Sequence, residues 1–130
     1  MTRRQVDAGT VWGPTVGYSR AVRVGTTIHV AGTTGLDAAG RPASGGMYGQ
    51  SKQALANILA ALEKLGGRAE DVVRTRIYVT DITQWEAAGR AHGEIFADIR
   101  PASTMVEVTR LIDPELVVEI EADAILPEDR

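Results

Sequence analysis

The apolar positions change period several times along the chain. Over residues 47–67, MYGQSKQALANILAALEKLGG, Leu55, Ile58, Leu59, Leu62 and Leu65 recur at three- and four-residue spacing. That spacing draws one apolar stripe down a helix, and Gly66 or Gly67 supplies its stop. A second helix is predicted over residues 83–96, TQWEAAGRAHGEIF, with Trp85, Ala88, His92, Ile95 and Phe96 as its stripe. Thr83 followed by Glu86 fits a capping box. Gly89 and Gly93 weaken this helix by roughly 1 kcal/mol each relative to alanine and leave room for a close approach.

Elsewhere the period is two. RQVD, SRAVRV, TIHVAG, VVRTRIYVTD, STMVEV and LVVEIEADAIL read as strands, with Gly25-Thr26 as a hairpin turn between the second and third. Gly32 to Gly46 forms a long loop. The order is strands, helix, strand, helix, strands, which predicts an α+β fold with both helices on one face of a mixed sheet. Alternation sorts each strand into two faces. Ile28, Val30, Val73, Thr75, Ile77, Val79, Val118, Ile120, Ala122 and Ala124 belong with the helices. Counting on from Val106 and Val108 as core-facing gives Ser103, Met105 and Glu107 to the opposite face. His29, Arg74, Arg76, Tyr78, Glu119, Glu121 and Asp123 join them there. Two readings fit that second face. It is the solvated side of a half-covered sheet, or a semi-polar surface through which subunits meet and enclose a cleft.

A chain of 130 residues with 44% hydrophobic and 24% charged residues is expected to be one soluble globular domain spanning residues 1–130. A net charge of −3 argues against nucleic acid as the main partner. There is no cysteine, so disulfides, thiolate nucleophiles and zinc–thiolate sites are out. No apolar leader or membrane-length run is visible, which makes the cytoplasm the expected location and excludes a membrane partner.

Familiar catalytic motifs are missing. The loop GTTGLDAAGRPASGG is neither a P-loop nor a GxGxxG turn, and no GxSxG elbow occurs. Two histidines, His29 and His92, are too few for a histidine-rich metal site, and no metal is expected. His92 on an apolar stripe reads as a core or interface histidine holding one hydrogen bond. In EIEAD, Glu119 and Glu121 share a strand face. Crowding or desolvation there would raise one pKa and allow proton exchange near neutrality. The same pattern also suits a charge-decorated strand that discourages aggregation.

Three segments together, GYSRAVRVGTTIHVAG, QSKQALANILAALEKLGGRAEDVVRTRIYVTDI and RPASTMVEVTRL followed by VVEIEADAI, resemble the YjgF/RidA (reactive intermediate deaminase) family over about residues 17–125. The resemblance implies a chorismate-mutase-like fold and a homotrimer with a central β-barrel and small-molecule ligands in inter-subunit clefts. It implies cofactor-independent hydrolysis of enamines or imines to 2-oxo acids and ammonia. By resemblance Glu119 helps hold the attacking water together with the main-chain carbonyl of Met105. Tyr18, Ala31, Gly32 and Gly89 line the pocket, although Ala31 lacks the family's serine hydroxyl and Gly89 stands where asparagine is common. Ser103 occupies the position of the arginine that grips the substrate carboxylate. Serine offers neither the charge nor the planar fork, and loss of a buried charge-assisted clamp costs on the order of 2–5 kcal/mol. Arg76, Arg74 and Arg100 are candidate replacement cations. Arg76 either neutralises Glu119 and Glu121, re-forms an anion site or makes a cross-strand ion pair. The functions open are therefore a hydrolase for a small imine, enamine or related carbonyl compound other than 2-aminoacrylate, or weaker for it; a non-catalytic binding or regulatory trimer; and an endoribonuclease.

Overall fold

The computed structural model describes residues 2–130. It contains six strands: β1 (Arg3–Asp7), β2 (Ser19–Val24), β3 (Thr27–Thr34), β4 (Val72–Val79), β5 (Ala102–Glu107) and β6 (Val118–Ile125). The helices are a short α1 (Gly13–Val16), the long α2 (Gly46–Lys64) and α3 (Trp85–Phe96). The strands form one sheet in the order β1-β2-β3-β6-β4-β5. Every pair is antiparallel except β4–β5, which is parallel and joined through α3. A parallel pair needs such a crossover.

Helices α2 and α3 cover one face of the sheet, as the periodicities predict. Ile28, Val30, Ile77, Val79, Val118, Ile120, Ala122 and Ala124 meet Leu55, Ile58, Leu62 and Phe96 in one buried cluster. Small residues set the spacing of the layers: Ala54 and Ala61 on α2, and Ala88 and Ala91 on α3, are all buried. Buried Gln50 ties α2 to the approach to β6, donating to the Glu115 carbonyl at 2.8 Å and accepting from Val117 N–H at 2.9 Å. At the far end, Arg130 forks onto the buried Asp71 at 2.7 and 2.9 Å, and Arg23 donates to the Arg130 carbonyl.

Several local expectations fail for identifiable reasons. The β4–β6 register slips between Val72 and Arg74, so Val72 is buried and Val73 turns outward. The Thr83–Glu86 capping box does not form. Asp81 instead accepts from Thr83 N–H at 3.0 Å and caps a 3₁₀ turn, Ile82–Gln84, that leads into α3. Trp85 then sits at the helix start and is 55% exposed, outside the core. The Pro-containing WGPTVG punctuation holds the unpredicted α1.

The largest correction concerns β5. Its parallel register aligns Ser103 with Thr75, Met105 with Ile77 and Glu107 with Val79. Residues aligned in this way point to the same face, and Thr75, Ile77 and Val79 face the helices. Ser103, Met105 and Glu107 therefore lie on the helix side. Met105 packs against the core, and Glu107 accepts from Ile82 N–H at 3.0 Å. Val106, taken from the pattern as core-facing, is exposed.

Candidate functional site

The face away from the helices carries a row of polar side chains. Tyr78 donates to Glu121. Asp123 receives His29 at 2.7 Å and Arg76 at 3.3 Å. Arg76 thus makes a cross-strand ion pair with Asp123, one of the three roles open to it from the sequence, and among the described residues forms no ion pair with Glu119 or Glu121. Tyr78 holds its proton above the usual phenol range, chiefly because that proton is donated to Glu121, with burial adding to the effect.

At one end of this row β3 bulges. Its pairing with β6 shifts register between Val30 and Thr33, so that Ala31 and Gly32 together stand opposite Glu121, and Thr33 turns inward. Bulges of this kind re-aim side chains beside functional sites. Here the bulge lays the Gly32 backbone against the carboxylate of Glu119. A Cβ added at Gly32 would stand 2.5 Å from Glu119 Oε2 and 2.9 Å from its Cδ. Only a hydrogen fits there, so Gly32 is what lets Glu119 occupy its half-buried position. Burial raises the Glu119 pKa above the ordinary carboxylate value. The neighbouring Glu121 charge adds to the rise, and Arg20 opposes it.

Arg20 braces the bulge. It donates to the Gly32 carbonyl at 2.7 Å and to Thr33 Oγ1 at 2.9 Å, and Thr33 donates onward to the Ala31 carbonyl at 2.7 Å. Its guanidinium also lies 5.7 Å from the centre of the Tyr18 ring, and the Tyr18 hydroxyl pairs with Thr10 Oγ1 at 2.9 Å. Sequence reasoning missed Arg20. The available signal was a cation two residues beyond Tyr18, near the start of β2. A shallow concavity of about 430 Å³ opens beside this group, lined by Tyr18, Val22, His29, Ala31, Glu121 and Asp123. A larger hollow of about 620 Å³, lined by Arg20, Thr33, Leu36, Asn57 and Lys64 among others, holds none of the residues singled out from the sequence.

The remaining candidates form a second group. Ser103 on β5 accepts a hydrogen bond from Thr75 at 2.8 Å, and Thr75 pairs with His92 Nε2 at 2.9 Å. Gly89 lies one turn before His92 on α3. A Cβ there would find only the Trp85 ring, at 3.9 Å. Arg100, in the loop before β5, has a positive φ of 55° and donates to its local Ala97 carbonyl. The fold thus brings Tyr18, Ala31, Gly32 and Glu119 together, and Ser103 with His92, but keeps the groups apart. Ser103 is level with Ala122 through Thr75, and Glu119 is three residues further along β6. Two strand spacings and three residues separate the two Cα atoms by roughly 14 Å, with the side chains on opposite faces of the sheet.

This architecture and these sequence features have relatives. The family model described as Endoribonuclease L-PSP matches residues 10–126. A crystal structure of a YjgF/YER057c/UK114 family member from Mycobacterium tuberculosis superposes with a TM-score of 0.87 at 48% identity, covering 96% of this chain and all of that one. The chain belongs to the YjgF/RidA family. Within that family it is 35% identical over 121 residues to an uncharacterized Streptomyces coelicolor protein, covering 93% of this chain and 90% of the relative. It is 32% identical over 126 residues to the human 2-iminobutanoate/2-iminopropanoate deaminase, covering 96% of this chain and 91% of that protein. The chain is thus a Rid-family protein with an α+β fold, and some of its relatives are named imine deaminases. No helix among the described residues is long and apolar enough to cross a membrane.

Proposed function

We propose that this Rid-family protein hydrolyses a small imine or enamine to a carbonyl compound and an amine or ammonia, with Glu119 as the general base for water. The observation that carries this reading is the placement of Glu119. Its carboxylate is half-buried against Gly32 beside a second carboxylate, and burial with that neighbouring charge raises its pKa above the ordinary carboxylate value. The deaminase named among the relatives supports the reaction class. Tyr18 and the backbone of Ala31 and Gly32 wall the site.

Ser103 decides the substrate class. A hydroxyl already engaged with Thr75 offers a neutral polar contact where a carboxylate-binding cation would select acids. The favoured substrate is a neutral imine, with 2-aminoacrylate turned over weakly. The second group completes the site only from a neighbouring copy, because within one chain it lies across the sheet. A homotrimer with sites between subunits meets that requirement, with the Met105 carbonyl as the second holder of water. No cofactor enters this chemistry.

The test offers purified protein 2-aminoacrylate made in situ and, separately, neutral ketimines, and compares product release with the spontaneous rate. Acceleration that is larger for the neutral imines supports the reading. No acceleration of any imine at any protein concentration rejects hydrolysis and leaves the binding or regulatory trimer. RNA cleavage with no imine turnover would transfer the assignment to the endoribonuclease reading.

A further inference from the structure

Thr75 is the one hydroxyl in the helix-facing row of β4, where Ile77 and Val79 are its neighbours, and it is fully buried. Its hydroxyl joins two side chains at once, where valine of similar size would leave the His92 ring nitrogen and the Ser103 hydroxyl without it. Both partners of Thr75 are more accessible than it is. Ser103 is exposed at the sheet edge. His92 is half-buried on α3, tilted against Phe96 at 4.6 Å, and burial holds its pKa below the ordinary imidazole value, which favours the neutral ring. Its Nε2 points to Thr75. Its Nδ1 is not sealed in, because Ser51 Oγ is the lone buried side-chain polar atom without a partner among the described residues.

Three groups in a row, each able to donate or accept, form a wire with two orientations. Either His92 Nε2–H donates to Thr75 and Thr75 to Ser103, or every bond reverses and His92 changes tautomer. Proton transfer along the row is that reversal.

We propose that His92, Thr75 and Ser103 form a proton relay that delivers a proton to the departing nitrogen of the substrate. This rests on the imine-hydrolase reading above. Water adds to the imine carbon as Glu119 of the neighbouring copy takes one of its protons; that proton passes to the imine nitrogen, giving a neutral carbinolamine and returning Glu119 to its ionised form. As the C–N bond breaks, nitrogen takes the proton of Ser103 Oγ, while the carbinolamine O–H proton passes to Glu119 of the neighbouring copy and the C=O bond forms. Ser103 regains a proton from Thr75, Thr75 from His92 Nε2, and His92 Nδ1 from solvent, while Glu119 releases its proton to solvent; rotation of the two hydroxyls and return of His92 to the Nε2–H tautomer through solvent reset the row. Ser103 is the catalytic residue of the three, and Thr75 and His92 are positioning residues that act through it.

The experiment measures kcat and KM for wild type, Thr75→Val, Thr75→Ser and Ser103→Ala on a series of neutral imines whose leaving amines run from alkylamine to aniline. The relay predicts that Thr75→Val and Ser103→Ala lose about 10²-fold in kcat on alkylamine imines, with KM little changed for Thr75→Val. It predicts a much smaller loss on aniline imines, whose leaving groups need less protonation. Thr75→Ser should recover most of the rate. A Thr75→Val enzyme with unchanged kcat overturns the relay, as does a loss that is the same for every leaving amine, since that is a packing defect. Ser103→Ala alters an exposed residue and keeps the test open if a Thr75 variant folds poorly. A wild-type protein that accelerates no imine overturns the hydrolase reading and the relay with it, a result distinct from an active wild type with indifferent variants.

Discussion

Replacing Gly32 with alanine isolates the contact that positions Glu119. The added Cβ would lie 2.5 Å from Oε2, 2.9 Å from Cδ and 3.3 Å from Cγ of Glu119. The first two approaches are too close and the third is tight, so the side chain must swing away. Gly32 has no positive φ, so alanine costs nothing in backbone conformation. The penalty is overpacking, about 1–3 kcal/mol in general. The obstacle is a flexible side chain, which places the cost at the lower end, near 1 kcal/mol. For a chain of this size that is a fall in melting temperature of about 3–5 °C. The same substitution made with Glu119→Ala meets no carboxylate and should cost almost nothing, giving a coupling of about 1 kcal/mol between the two positions. Thermal melts of the four proteins at one fixed concentration read this directly. A Gly32→Ala cost that is equal in both backgrounds would refute the claim that Gly32 exists to seat Glu119.

Other consequences follow from the charges. Because the Glu119 pKa is raised in the fold, its ionisation opposes folding. Glu119→Gln should therefore be more stable than wild type at neutral pH, and the gap should close as pH falls below the ordinary carboxylate range, where both side chains are neutral. Chemical denaturation at several pH values checks the sign. Asp71 behaves oppositely: the Arg130 hydrogen bond holds its pKa down, so its contribution is present above the ordinary carboxylate value and disappears as pH falls through the lowered one. Asp71→Ala also strips the acceptor from Arg68 N–H and should destabilise by about 1–2 kcal/mol at pH 7, measured by urea titration. Tyr78→Phe leaves Glu121 without its donor and should cost about 1 kcal/mol in the same assay.

The strand and helix pattern was readable because the covered face of the sheet is apolar apart from the buried Thr33 and Thr75. Ile77, Val79, Val118, Ile120, Ala122 and Ala124 alternate cleanly with polar neighbours, and α2 carries an unbroken stripe. Legibility failed where alternation did. On the edge strand β5 five of six residues are exposed, so hydrophobicity does not distinguish its faces, and only the register with β4 puts Ser103 beside Thr75. Val73 was misplaced by a bulge, which shifts the count by one without a sequence mark. The family resemblance singled out Glu119 and Gly32, two positions that the fold places in contact. Arg20 was not legible, because a cation on a strand reads as solvent-facing until the β3 bulge folds back over it.

The central claim is that Glu119 activates water for imine hydrolysis, and single-turnover kinetics of Glu119→Gln on the best neutral imine test it most directly. Glutamine keeps the shape and removes the base. The account predicts a rate at least about 10²-fold below wild type with substrate binding and assembly state unchanged. A Glu119→Gln protein that hydrolyses the imine at the wild-type rate would contradict it.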